Sequence, residues 1–240
     1  MRFNTGKCKV MHVGKNNPQS SYYMSGTQLA AVEEEKDIGV IIHKSLKPSR
    51  HCSEAARRAR VVLYQISKSF HFRDRVTFVK LYKQYVRPHL EYAVQAWCPY
   101  TIGDINILER VQEQAIRMVS GLQGRTYQER LAELNLDSLK SRRDRFDMIQ
   151  TYKILTGIDR VTSSHWFQTV GDSHNRRQTR LTNHRLDLIQ DKVCRTEIRK
   201  QFFSQRVVLN WNKLPNFVKD SRNISSFKIN YDKFIGATVE

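Results

Sequence analysis

Basic side chains recur along this chain in clusters that suit contact with phosphate groups. Guanidinium and ammonium groups neutralise a phosphate backbone without reading base sequence, and such binding weakens steeply as salt is added. One cluster falls in a segment of helical periodicity, a second opens a later helical segment, and a third lies in a polar stretch. The candidate phosphate contacts are Arg50, Arg57, Arg58, Lys68, Lys140, Arg142, Arg143, Arg176 and Arg177.

The overall charge also favours a polyanionic partner. Lysine and arginine number 41 against 23 aspartates and glutamates, so the 240 residues carry a formal net charge of +18. This excess is spread along the chain instead of forming one basic tail, and nucleic acid is its natural counterion. The alternative is a solvated basic surface that only aids solubility.

Membrane and secretory signals are missing from the sequence. No apolar run approaches the ~20 residues that a spanning helix needs. No N-terminal segment combines a basic start, an apolar stretch and a small-residue cleavage site. We therefore expect no membrane partner and an intracellular location, in the nucleus or the cytoplasm.

Residue types that often do catalytic or metal chemistry show no convergent spacing. The four cysteines lie far apart, which indicates free thiols in a reducing compartment. Cys8 with His12, and His51 with Cys52, supply two potential ligands each, whereas a structural zinc site needs four. The run Glu33-Glu34-Glu35 is interpreted as a solvated turn without an acid–base role. Dinucleotide, phosphate-loop, zinc-protease and serine-hydrolase motifs are absent, so no catalytic residue and no metal ligand is predicted.

Strand signals are confined to the first 45 residues. Lys7 to Val13 alternates polar and apolar residues, and Tyr22 to Val32 follows a Pro-Gln-Ser-Ser turn. Asp37 to Ile42 is a β-branched run. These patterns predict a small antiparallel sheet.

Helical periodicity begins at Ser49. The buried face of the first helix is predicted to comprise Cys52, Ala55, Ala56, Ala59, Leu63, Ile66 and Phe70. Asp74 is predicted to cap a second helix, with Val76, Val79, Tyr82 and Val86 inward, which a proline at 88 kinks or restarts. The aromatic residues Tyr82, Tyr85, Tyr92 and Trp97 are of the type that stacks on bases, but their helical spacing favours core packing.

Further helices are predicted towards the C-terminus. Asp104 is expected to cap a third helix, Tyr127 to Leu134 forms a short one, and another runs from Ser138 to a stop at Gly157. Residues 158–180 are polar and are predicted to be a loop. A last helical pair, which includes Leu186 to Trp211, is expected to be closed by a proline at 215 before a short tail.

Short motifs follow one another in a fixed order along the chain. They are Phe-Asn-Thr-Gly-Lys-Cys-Lys-Val-Met-His-Val at 3–13, Glu35-Lys36-Asp37-Ile38-Gly39-Val40, Leu81-Tyr82-Lys83, Val86-Arg87-Pro88-His89-Leu90-Glu91-Tyr92, Gln95-Ala96-Trp97 and Leu108-Glu109-Arg110-Val111-Gln112. In this order they resemble the end of the palm, the thumb and the C-terminal extension of a LINE-type (non-LTR) retrotransposon reverse transcriptase. The resemblance covers nearly the whole chain and is strongest from 3 to 155.

The resemblance implies roles for two groups of residues. Asn4 and Lys7 match the motif that lies beside the incoming nucleotide. Lys36, Ile38 and Gly39 match the primer grip, a hairpin that orients the primer end, although leucine is usual in the family where Ile38 stands. The thumb helices of the family hold the template–primer hybrid through its phosphates.

The resemblance also implies what this chain lacks. In the family an upstream aspartate and an Asp-Asp hairpin hold two Mg²⁺ ions, which activate the primer hydroxyl and neutralise the leaving phosphates. This sequence contains no Asp-Asp dipeptide. Both carboxylate motifs would precede residue 1, so we expect no cofactor in this chain and no polymerisation by it alone. The complete polymerase would need Mg²⁺.

The sequence therefore predicts an α+β, mainly α fold. A small antiparallel palm remnant with a primer-grip-like hairpin spans 1–48, and a helical thumb-like domain spans 49–157. A linker spans 158–180, and a helical extension spans 181–240. The expected partners are an RNA template, an RNA–DNA hybrid and the missing palm and fingers of the polymerase. The alternative is a non-functional or domesticated remnant that acts as a protein interaction module through exposed sheet edges.

Overall fold

The chain adopts an α+β fold in which helices predominate, as predicted. The structure is a computed structural model that describes residues 3–171, 184–190 and 194–239. The described strands are β1 Lys9–Val10, β2 Tyr23–Met24, β3 Thr27–Gln28, β4 Ala30–Ala31, β5 Glu34–Asp37 and β6 Val40–His43. The described α-helices are α1 Ser49–Ser69, α2 Arg75–Leu81, α3 Arg87–Glu91, α4 Val94–Trp97, α5 Ile102–Arg117, α6 Tyr127–Glu133, α7 Leu139–Leu155, α8 Glu197–Lys200, α9 Phe203–Asn212, α10 Asn216–Lys219 and α11 Ile224–Val239.

The chain divides into two compact units, residues 1–140 and residues 141–240. The sequence places boundaries at 48, 157 and 180 instead. β6 packs against α1, so the strands and the first helices share one unit. The division falls within α7, where no break in composition marks it. Part of the predicted linker, including Arg176 and Arg177, lies outside the described residues.

The described strands pair in twos, whereas the sequence predicts a single antiparallel sheet. β1 pairs with β4 in parallel, while β2–β3 and β5–β6 are antiparallel hairpins. The predicted strand 37–42 is itself broken by a turn, because Ile38 and Gly39 both have positive φ, of 42° and 85°. Two central residues with positive φ form the turn whose twist matches that of a two-residue hairpin.

Helix α1 is the centre of the first unit. It packs against α5, α3 and β6. Its buried face is the predicted stripe of small and aliphatic residues, from Cys52 through Ala59 to Ile66. Small side chains let neighbouring helices approach closely, which explains why α1 contacts several elements along this face. Phe70 follows the helix and is 39% exposed, so the predicted face ends at Ile66.

A π-helical turn, Tyr82–Val86, joins α2 to α3. The buried residues on this path are Phe78, Tyr82, Val86 and Leu90. They recur every four residues, more widely than the 3.6 of an α-helix, and the π turn keeps them on one face. This corrects the predicted face, because Val76 is 65% exposed. The helical path also continues past a proline at 88 and ends at Glu91, and Ala93 after it has a φ of 51°.

Side chains cap the later helices of the first unit. Thr101, and not Asp104, caps α5, because its hydroxyl accepts from the Asp104 N–H at 3.2 Å. The N-terminus of α7 is bound by Glu109 of α5, whose carboxylate accepts from the N–H groups of Leu139 and Lys140 at 3.3 and 2.8 Å. A carboxylate there complements the helix dipole and offsets the basic residues of the same turns.

The second unit has an aromatic core. Tyr152, Trp211 and Tyr231 each stack with Phe227, with centroids 4.4, 6.0 and 6.2 Å apart. Phe227 and Tyr231 belong to α11, so the predicted short tail is a helix. The predicted helical pair that includes 186–211 is also wrong over its first part, since Leu188 forms a β-bridge with Thr169.

A candidate nucleic-acid interface

A cleft of about 260 Å³ lies where the β5–β6 hairpin, α1 and α3 meet. Its lining residues are Gly39, His51, Ala55, Arg58, Pro88, His89 and Tyr92. Gly39 comes from the motif at 35–40, and the last three come from the motif at 86–92. Two of the family-like motifs, far apart in sequence, therefore share one site.

Tyr92 fixes the hairpin turn at this cleft. Its hydroxyl donates to the Ile38 carbonyl at 3.1 Å. Its ring lies against Gly39, where an added Cβ would stand 3.2 Å from the Tyr92 Cε1 atom. Glycine at 39 therefore meets two demands, a positive φ and a close approach to an aromatic ring. The other turn residue, Ile38, is 81% exposed.

Replacing Gly39 by alanine is expected to disturb this contact. An alanine at positive φ strains the backbone and destabilises the fold by about 1 kcal/mol or more. Gly26→Ala is the matched control, because Gly26 has a φ of 78° and no atom lies within 4 Å of where the added methyl group would stand. Both variants should unfold at lower urea, but only Gly39→Ala should also weaken nucleic-acid binding. Equal binding by the two variants would contradict a role for the cleft.

His51 is a residue of this site to which the sequence assigns no role here. Its Nδ1 accepts from the Ile41 N–H at 3.0 Å, and its ring lies 4.5 Å from that of Trp97. Burial, with a further contribution from the Arg58 charge, lowers the pKa of His51 to about 4. The neutral imidazole therefore ties the hairpin to α1. The available signal was its four-residue spacing from Ala55 on the buried face.

The arginines at the start of α1 are engaged by carboxylates. Arg50 makes a two-bond contact with Glu34, at 2.6 and 2.8 Å. Arg57 and Arg58 share Glu54, at 2.7 and 2.8 Å. Hydrogen bonds from Arg57 and then Arg58 lower the pKa of Glu54 to about 2, so this carboxylate stays ionised. The acidic run at 33–35 is predicted to be a solvated turn, but Glu34 lies in β5. Two of its carboxylates are paired, since Glu33 binds Lys44 and Glu34 binds Arg50.

The outer face of α1 carries an exposed basic and aromatic stripe. We define the α1 stripe as Arg57, Arg60, Val61, Tyr64 and Lys68, which are exposed and recur every three or four residues. The Lys68 Nζ lies 5.5 Å above the Tyr64 ring, a cation–π contact. Two of the predicted phosphate contacts, Arg57 and Lys68, therefore lie on one face of α1, together with Arg60.

The second basic cluster does not form one surface. Lys140 is exposed, and the Arg142 guanidinium lies 5.1 Å above the Phe146 ring. Arg143 is only 2% exposed, so its side chain is buried and does not face solvent with the other two. Burial raises the pKa of Asp147, and the positive charge of Arg143 partly opposes this rise. The third cluster, Arg176 and Arg177, lies outside the described residues.

The remaining residues matched to the family fall in two places. Asn4 and Lys7 are exposed at a 3₁₀ turn, where the Lys7 N–H donates to the Asn4 carbonyl at 3.0 Å. They are not among the cleft residues. Lys36 is exposed on β5, and its charge contributes to the lowered pKa of His51. Lys36 therefore lies near the cleft with Ile38 and Gly39.

Within 3–171, 184–190 and 194–239, no three histidine, cysteine, aspartate or glutamate side chains are grouped to hold a metal ion. The described residues therefore do not fit a two-Mg²⁺ centre. No helix in these ranges has the length and apolar character needed to cross a bilayer.

Comparison of the chain with models of known families, with curated proteins and with solved structures found no match.

Proposed function

We propose that this chain is the primer-grip and thumb part of a LINE-type reverse transcriptase and that it binds template–primer nucleic acid. One observation carries the proposal. The family-like motifs at 35–40 and 86–92 meet through the hydrogen bond from Tyr92 to Ile38 and the close contact at Gly39. Motifs that share a function are expected to share a site, although 54 positions separate Tyr92 from Ile38.

The α1 stripe supplies the duplex contacts in this proposal. Arg57, Arg60 and Lys68 face solvent along one side of a helix, where they can neutralise successive phosphates. An RNA–DNA hybrid is recognised mainly through its shape and its backbone, so little sequence preference is expected. In this proposal the exposed hairpin tip, Ile38 with Lys36, contacts the primer end.

The proposed activity is binding without polymerisation. Phosphoryl transfer to a primer hydroxyl needs carboxylates that hold Mg²⁺ beside the reacting atoms. The sequence has no Asp-Asp dipeptide, and the described residues hold no such carboxylate group. The residues of this chain bind and orient the nucleic acid, and chemistry is left to the palm and fingers of the polymerase.

The strand region favours a second candidate, a protein interaction surface. Phe3, Tyr22 and Tyr23 are 81%, 55% and 66% exposed. The described strands also pair only in twos, which leaves strand edges open to another chain. The palm and fingers of a polymerase would be the natural occupant. Light scattering of the chain over a concentration series tests for such association, and a monomer at high concentration would count against it.

Charge removal from the α1 stripe tests the main proposal. The variant Arg57→Gln, Arg60→Gln, Lys68→Gln is expected to weaken binding to a labelled RNA–DNA hybrid at moderate salt. The slope of log K against log salt is negative, and its magnitude should decrease by about 2 to 3, since each lost phosphate contact removes about 0.9. Fluorescence anisotropy across a salt series measures both quantities. Glu54→Gln should act in the opposite direction and tighten binding, because it frees Arg57 and Arg58 from their carboxylate.

A charge-matched variant controls for net charge. Lys213→Gln, Arg222→Gln, Lys233→Gln removes three exposed cations of the second unit. It should lower affinity far less than the stripe variant if the contacts are local. Equal losses in the two variants would show that only overall charge matters and would overturn the proposed interface.

A further inference from the structure

Two exposed aromatic rings lie parallel on the second unit. The Trp166 and Phe202 rings are inclined by only 3°, with centroids 6.4 Å apart. They are 39% and 48% exposed, whereas Trp97 and Trp211 are buried. Aromatic side chains on a surface and in matched orientation present flat faces to a ligand.

The pair is held by the core beneath it. The Trp166 ring packs edge-on against Phe203, with centroids 6.1 Å apart and a tilt of 75°. Phe203 is 4% exposed and also contacts Phe167. The guanidinium of Arg206 covers Phe203 at 5.4 Å and binds Asp147 at 2.8 Å. The Trp166 ring therefore packs on a buried aromatic residue, Phe203, which in turn contacts an arginine held in an ion pair.

One cation contacts the pair, and two more lie close to it in the sequence. The Arg199 guanidinium lies 5.5 Å above the Phe202 ring. Arg195 and Lys200 are exposed in the same segment. The acid of this segment, Glu197, pairs with Lys200 at 3.5 Å and leaves an excess of positive charge. Parallel aromatic faces flanked by cations match the bases and phosphates of a single strand, in which every base offers a π-face.

We infer that Trp166 and Phe202 form a stacking site for unpaired bases of single-stranded nucleic acid. Arg199 and its basic neighbours hold the adjacent phosphates. This inference rests on the proposed function only for the class of partner, nucleic acid. It adds a second binding site to the chain. The α1 stripe takes the duplex, and the ring pair takes an unpaired strand.

Tryptophan emission reports this site directly, because Trp166 is the exposed one of the three tryptophans. The intact chain is titrated with oligothymidylate and with an abasic oligomer of equal length, about twelve nucleotides, at moderate salt. The thymidylate is expected to quench the emission and to bind roughly 5- to 100-fold more tightly than the abasic strand. Equal affinity for the two strands would overturn the stacking site. So would a quench that follows protein concentration alone, since a second copy would then cover the rings.

Variants separate this site from the duplex interface. Phe202→Leu and Trp166→Leu, measured by anisotropy of a labelled oligothymidylate, are each expected to lose most of the preference over the abasic strand. Phe217→Leu is the control, because Phe217 is 51% exposed in the same unit and lies on α10. The α1 stripe variant should lose hybrid binding and keep the thymidylate quench. A hybrid that binds without salt dependence, together with an intact quench, would refute the duplex interface and leave the stacking site standing.

Discussion

Lys219→Met is expected to destabilise the second unit by about 3–5 kcal/mol, the cost of leaving a buried charge without its partner. The Lys219 and Asp187 side chains are 1% and 0% exposed, and Nζ lies 2.6 Å from the Asp187 Oδ1 atom. The ammonium also donates to the Asn212 carbonyl at 3.1 Å, and Asp187 accepts from the His184 N–H at 2.8 Å. Removing the lysine therefore leaves the buried Asp187 carboxylate without its counter-charge. Urea unfolding followed by peptide-resolved hydrogen exchange measures the loss in this unit.

Two further variants test whether charge causes the loss. Lys219→Met with Asp187→Asn removes both charges while an amide oxygen remains to accept from the His184 N–H, so more than half of the stability should return. Lys213→Met changes an exposed lysine and should alter the free energy of unfolding by less than about 0.5 kcal/mol. A double variant as unstable as the single one would show that packing, and not charge, dominates.

Acid is expected to weaken the first unit through His51. Folding lowers the pKa of His51 from 6.5 to about 4, so the unfolded chain binds the proton between these values and the folded chain does not. The stability contribution is therefore complete above pH 6.5 and is lost as the pH falls towards 4. At 1.36 kcal/mol per unit, this shift corresponds to about 3 kcal/mol. Urea unfolding at pH 7.5 and 4.5, read by hydrogen exchange in α1, measures the difference.

His51→Asn is the control for this titration. An asparagine oxygen can take the place of Nδ1 as acceptor for the Ile41 N–H, but the amide does not titrate. The variant should lose most of the acid sensitivity while α1 keeps its contacts. The nearby charges are those of Arg58, Glu54 and Lys36, and Glu54 titrates only near pH 2. An unchanged pH dependence in the variant would assign the effect to other groups.

Sequence periodicity was sufficient where one helix packs one face. In α1 the small residues Ala55, Ala56 and Ala59 recur at helical spacing, and they are buried as predicted. A helix at 127–133 was likewise predictable, because Thr126 and Glu129 form a capping box at its start. Local signals of this kind lie within a few residues of the structure that they specify.

Long-range contacts were outside the reach of periodicity. The helical spacing of Tyr92 favours a core position over a base-stacking role, but the side chain holds the turn at Ile38 and Gly39. Lys219 and Arg143 are buried, although lysine and arginine are residue types of surface positions. Their burial depends on distant neighbours, which periodicity does not report. The candidate interface was therefore only half predictable. The basic helix and the two motifs could be identified, but their meeting at one cleft could not.

The π turn at Tyr82–Val86 has a consequence for alignments of this chain with its relatives. A π turn arises when one residue is added to an α-helix and the rest of the helix keeps its packing. The path from Phe78 to Leu90 thus contains one residue more than an α-helix with the same buried face. A relative that packs this face with an unbroken α-helix would align to the chain with a single-residue gap inside Tyr82–Val86.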